Sequence, residues 1–89
     1  MKFINVGFGN LVSVKRIVTV ASPDSAPIRR LVQDSRELGN VIDVSSGKKT
    51  QSVIITDSRH IILSSLTTEM LLQKLNEDGD GQETQISED

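Results

Sequence analysis

Apolar and β-branched residues in this chain come in short runs separated by glycine, proline and charged clusters. Phe3 to Val6 reads as a first strand, and Gly7-Phe8-Gly9-Asn10 supplies the residues that tight turns need. Leu11–Ser13 and Ile17–Ala21 fit one broken strand or two short ones, with Lys15 and Arg16 at the break. Ser22-Pro23-Asp24-Ser25-Ala26-Pro27 is a helix-start signal, with prolines flanking cap-type residues. The spacing of Ile28, Leu31, Val32, Ser35 and Leu38 predicts a helix from about Pro27 to Leu38 with one buried stripe, closed by Gly39. Val41–Val44, Ser52–Thr56 and His60–Ser64 read as strands, turned at Ser45–Lys49 and at Asp57-Ser58-Arg59. Thr67 or Thr68 caps a short closing helix through Glu69, Met70, Leu71, Leu72 and Leu75, expected to end near Asn76. The fold class is therefore α+β: a small, mostly antiparallel sheet with one main helix and a short C-terminal helix.

Composition narrows the picture. The chain has 89 residues and no cysteine, so it supports one small domain and no disulfide framework. Phe3 and Phe8 are its only aromatic residues, so the core must be aliphatic. A domain of about 75 ordered residues is marginal alone, and self-association would add buried area. No run approaches the ~20 apolar residues of a membrane span. The start of the chain also lacks the apolar stretch of a secretion signal. The expectation is a cytoplasmic protein with no membrane partner. The formal net charge of −2 hides an asymmetry: residues 1–76 hold ten basic and six acidic side chains, a net +4, whereas residues 77–89 hold six acids and no base. The body 1–76 is thus read as a folded basic domain and 77–89 as a disordered acidic tail.

Catalytic patterns are weak. The single histidine, His60, lies at a hairpin beside Ser58 and Arg59, and no cysteine is present to pair with it. Gly7-Phe8-Gly9 follows a strand, but the third position of a dinucleotide fingerprint is Val12 and no helix follows. Asn76 to Gly81 resembles the opening of a calcium loop, yet Ser87 stands where the bidentate Glu belongs. No catalytic residue, metal ligand, cofactor or small-molecule substrate is expected. The basic residues form three adjacent pairs: Lys15-Arg16 at the strand break, Arg29-Arg30 in the first helical turn and Lys48-Lys49 after Gly47. Paired cations on short loops suit phosphate contact. Arg29 and Arg30 oppose the helix dipole, and an anionic partner would give them a reason to be there. The scarcity of aromatics disfavours single-strand readers that stack bases, and no second helix is spaced for a helix-turn-helix. Duplex DNA gripped through its backbone fits best.

Three segments carry a resemblance: Lys2 to Asn10, Ser22 to Arg30, and Ile42-Asp43 leading to Gly47-Lys48-Lys49-Thr50. With Ile55–Ser58 and His60–Ser64 they closely resemble the RemA family of bacterial extracellular-matrix regulators. The resemblance covers residues 2 to about 75. It implies a fold similar to the LytTR DNA-binding domain. It also implies a nucleoid-associated activator of biofilm-matrix and osmoprotection genes, which binds duplex DNA along the rim of a ring-shaped homo-oligomer of seven or eight subunits. Family DNA contacts fall on Arg16 and on the turn Gly47-Lys48-Lys49-Thr50, and Pro27 matches a functionally important position. Here lysines replace the family's arginines, and Gln51 stands where many relatives carry another base. Lysine keeps the phosphate charge but lacks the fork that reads guanine. The other readings are a nonspecific nucleoid-type DNA-bending protein and a ring-forming scaffold for protein partners.

Overall fold

Ser52-Val-Ile-Ile-Thr56 and Ile61-Ile-Leu-Ser64, the two runs richest in strand-forming residues, make the centre of the molecule. The computed structural model describes residues 2–80. It contains strands β1 (Phe3–Asn5), β2 (Leu11–Ser13), β3 (Ile17–Ala21), β4 (Val41–Asp43), β5 (Ser52–Thr56) and β6 (Ile61–Ser64). Helices α1 (Ala26–Glu37) and α2 (Thr68–Asp80) complete it. A four-stranded sheet runs in the order β3-β5-β6-β4, and β1 and β2 form a separate antiparallel hairpin. The α+β class is as expected.

Alternation along the central strands divides the core into two layers. Ile54 and Ile62 face Ile4, Val6 and Leu71, so the hairpin and α2 cover one face of the sheet. Val53, Ile61 and Leu63 face Ile28, Leu31 and Val32, so α1 covers the other. Every member of both layers is aliphatic, as the composition requires. Both phenylalanines are instead exposed, Phe3 to 48% and Phe8 to 56%.

The sheet is mostly antiparallel, as expected, and three particulars add to or depart from the sequence reading. The sheet is antiparallel except for β4, which pairs parallel with β6, Val41 opposite Ile61. The reason is α1: it carries the chain back along the sheet, so β4 enters from the same end as β6. Leu38, expected in the buried stripe, is 75% exposed. It is the last residue of the helical path, and beyond it Gly39 (φ 76°) turns the chain into a Schellman closure, with Gly39 N donating to Arg36 O and Asn40 N to Ser35 O. The closing helix, capped by Thr67 Oγ1 accepting from Met70 N at 3.1 Å, runs to Asp80 rather than ending near Asn76. The first residues of the acidic segment, expected as disordered tail, are therefore helical. Its remainder, 81–89, lies outside the described residues, and with it the last part of the calcium-like pattern. The break at Lys15-Arg16 is a single 3-10 turn, Val14–Arg16, between two strands.

Two turns carry unusual backbone. At the hairpin tip, Asn10 N donates to Gly7 O at 3.0 Å, with Phe8 (φ 53°) and Gly9 (φ 78°) as the central pair. That is the type I′ pattern, which favours Asn-Gly. A bulky residue with positive φ is an outlier costing roughly 1–2 kcal/mol. The turn after β4 repeats the geometry with Ser46 (φ 57°) and Gly47 (φ 81°), closed by Lys48 N donating to Ser45 O at 3.1 Å.

Candidate nucleic-acid interface

Asp43, the last residue of β4, anchors the turn that carries Lys48 and Lys49. Its Oδ1 accepts from Ser45 N at 2.9 Å and from Ser45 Oγ at 2.6 Å. These hydrogen bonds hold the Asp43 carboxyl below the usual carboxylate range, helped by the charge of Arg36. Ser45 is buried, so the turn is fixed at its base. From it Ser46 and Gly47 reverse the chain, and Lys48 and Lys49 follow, both exposed. Left-handed backbone at Gly47 suits glycine, and a methyl group there would meet no neighbour, so only the dihedral demands it.

The first turn of α1 lies at the same end of the sheet. Ser25 caps the helix, its hydroxyl accepting from Ile28 N at 3.3 Å, and Pro27 occupies the first turn, where its missing N–H leaves nothing unpaired. Arg29 folds back over this terminus and donates from Nη1 to Asp24 O at 3.2 Å, whereas Arg30 is exposed. The first turn contains no acid. Arg29 thus has a structural partner that the sequence did not reveal.

Lys15 and Arg16 sit elsewhere. β3 runs antiparallel to β5 with Ile17 opposite Thr56, so Arg16 meets the β5–β6 turn at the opposite end of the sheet from Lys48 and Lys49. The five residues of β5 separate the two groups by about 17 Å of strand. Arg16 Nη1 lies 3.3 Å from Asp57 Oδ2, the one ion pair among the described residues, and Asp57 N donates to Arg16 O at 2.9 Å. The pair is well exposed, at 67% and 44%, and such pairs are worth about 0–1 kcal/mol. A phosphate can displace the carboxylate cheaply.

A further cation belongs to this end. Arg59 is exposed on the three-residue loop 57–59 and holds φ 67°, the left-handed position that glycine usually fills in such loops. The loop is rigid: Thr56 N donates to His60 O at 3.1 Å, Arg59 N to Thr56 O at 3.2 Å, and His60 N to Thr56 Oγ1 at 3.1 Å. Reading Asp57-Ser58-Arg59 only as a turn missed this residue. Its sequence signal is an arginine at the bulge position of a short hairpin. Ser58 Oγ lies 2.7 Å from His60 Nδ1 and 2.9 Å from Thr56 Oγ1. Asp57, the nearest acid in the loop, bonds to Arg16 and not to the imidazole, so these contacts brace the loop.

The three basic pairs expected to contact DNA therefore form two groups: Lys48, Lys49, Arg29 and Arg30 at one end, Lys15 and Arg16 with Arg59 at the other. Among the described residues no helix is long and apolar enough to cross a membrane, and no cluster of acids and histidine is placed to hold a metal.

Comparison with known proteins finds relatives that span most of this chain. A relative in Geobacillus thermodenitrificans is 56% identical over 75 residues, spanning 84% of this chain and 86% of its own. One in Acetivibrio thermocellus is 53% identical over 76 residues, 85% of this chain and 82% of its own. One in Clostridium acetobutylicum is 48% identical over 84 residues, 94% and 91% of the two chains. Each carries a name that says regulatory protein and gives no partner. The family model described as extracellular matrix regulatory protein A-like matches residues 3–75, every strand and most of α2 included. The chain belongs to the RemA-like family.

Proposed function

We propose that this regulatory protein acts on duplex DNA, holding the phosphate backbone with the turn Gly47-Lys48-Lys49-Thr50 and, from the opposite end of the sheet, with Lys15, Arg16 and Arg59. The observation that carries the reading is the pinned turn: a buried serine and a hydrogen-bonded carboxylate fix the base of a turn from which two adjacent exposed lysines follow. A phosphate-binding loop gains from such rigidity, because little backbone entropy is lost on contact. Lysines at this turn favour backbone grip over base readout. A ring-shaped homo-oligomer multiplies a modest charge per subunit into an avid surface. The family description supports regulation of the extracellular matrix as the output, and activation of matrix-gene promoters in the nucleoid is the route this reading proposes.

A salt series of duplex binding tests this. The logarithm of affinity should fall steeply with that of salt, and replacing Lys48 and Lys49 with Ala should lower the slope by about two per bound subunit. Affinity that stays flat from low to physiological salt, or that survives loss of Arg16 together with Lys48 and Lys49, overturns the reading and leaves a protein-binding scaffold.

A further inference from the structure

Arg29, Val32, Gln33 and Arg36 follow one another at helical spacing and form a stripe along one face of α1. Between this stripe and the sheet lies a cleft of about 490 Å³, with the buried side chains of Val53 and Leu63 at its bottom. Pro23 and Thr50 complete the lining. The volume falls within the range of small-molecule sites, roughly 300–1,000 Å³. Its base is apolar, its edge carries the exposed Arg29 and Arg36, and no acid lines it. Neither arginine has a carboxylate within ion-pair distance, since Arg16–Asp57 is the one ion pair among the described residues. Arg29 donates to Asp24 O, and Arg36 makes no side-chain hydrogen bond among the described residues. The cleft thus pairs an apolar floor with two uncompensated guanidinium groups.

These features narrow the ligand. Arg29 and Arg36 are two helical turns apart, about 10.5 Å of rise, so they flank the cleft and do not share one point. Val32, Val53 and Leu63 make a short floor, enough for one flat ring system and too short for an acyl chain. A bare phosphate or small carboxylate would leave that floor in contact with water. A heteroaromatic ring that carries phosphate satisfies both parts. Its ring covers the floor, and its phosphate oxygens accept the paired N–H donors that a guanidinium offers. The Gln33 amide, which both donates and accepts, and the Thr50 hydroxyl suit the polar edge of a base or a sugar.

We propose that this cleft binds a nucleoside phosphate, with the base on Val32, Val53 and Leu63 and the phosphates on Arg29 and Arg36. Its place in the fold gives it an output. Thr50 lines the cleft and ends the turn that carries Lys48 and Lys49, and the charge of Arg36 acts on Asp43, which pins that turn. A bound nucleotide sets negative charge beside the two lysines and occupies Arg29, a cation at the same end of the sheet. Nucleotide and duplex therefore oppose each other, each weakening the other by the same factor. This coupling rests on the DNA reading above, whereas the nucleotide site does not.

The test titrates the full chain with ADP, GDP, adenosine and inorganic phosphate by calorimetry, with circular dichroism to show that each variant is folded. ADP or GDP should bind at least about tenfold more tightly than adenosine or phosphate, because only the nucleotide uses both floor and guanidinium groups. Arg36→Gln removes one charged anchor and should weaken nucleotide binding about tenfold. Gln33→Trp fills the cleft from an exposed position and should abolish it. Replacing Lys48 and Lys49 with Ala should leave it unchanged. No saturable binding of either nucleotide at millimolar concentration overturns the site, and so does phosphate that binds as tightly as ADP. Binding that survives Arg36→Gln but is lost with the two lysines puts the nucleotide on the turn and also overturns it. Saturating nucleotide should lower duplex affinity for the wild type and leave it constant for Gln33→Trp. Nucleotide binding with unchanged duplex affinity overturns the coupling alone. Absence of duplex binding at every salt concentration overturns the functional reading and leaves the calorimetric result standing.

Discussion

Two positions show how single residues set the basic surfaces. Asp43 accepts both hydrogen bonds that pin the Lys48-Lys49 turn, and its carboxyl is held below the usual range. A depressed folded-state value means the stabilisation is complete above the ordinary carboxylate range, near pH 4, and is lost as pH falls through the lower folded value. Asp43→Ala should therefore destabilise the protein by about 1 kcal/mol at neutral pH. The gap from wild type should close as urea melts are taken from pH 6 down to pH 2. A gap that persists at pH 2 would mean the aspartate acts through packing. Arg59 behaves in the opposite sense. It holds φ 67° where glycine is easier, so Arg59→Gly should raise stability by about 0.5–1 kcal/mol. The same change should weaken duplex binding and lower its salt slope by about one. Greater stability with unchanged DNA binding would remove Arg59 from the interface.

Elements that depend on local signals were legible in the sequence. Ser25 as cap, Pro27 in the first turn and Gly39 at the closure delimit α1 almost as read, and β5 and β6 follow from their β-branched runs. What escaped depends on partners distant in sequence. Leu38 has the spacing of the buried stripe, but the chain leaves the helix there and its side chain points into solvent. The parallel pairing of β4 requires knowing that α1 returns along the sheet. Residues 77–80 look like tail by charge, yet they continue the helix that Leu71 and Leu75 dock onto the core. At the candidate site, adjacent cations were visible as pairs, but only strand register shows that Arg16 lies a full strand length from Lys48. The pairing of Arg16 with Asp57 crosses 41 positions and has no local signature.

At the scale of the whole molecule, the charge of −2 is a sum over two parts of opposite sign. The body 1–76 carries +4 and offers it at both ends of one sheet, whereas Glu83, Glu88 and Asp89 follow the last described turn of α2 with no base among them. On the reading proposed above, a ring would repeat these acids as often as the lysines, and each subunit would bring its own competitor for DNA. Repulsion between such segments and DNA acts over about one Debye length, roughly 10 Å at 0.1 M salt. Truncation after Asp80 removes three negative charges and leaves both basic groups in place. The shortened protein should bind duplex DNA more tightly than the full chain at low salt, with the two affinities converging above about 0.5 M salt as screening removes the competition. Equal affinities at every salt concentration would mean that the acidic segment does not reach the rim.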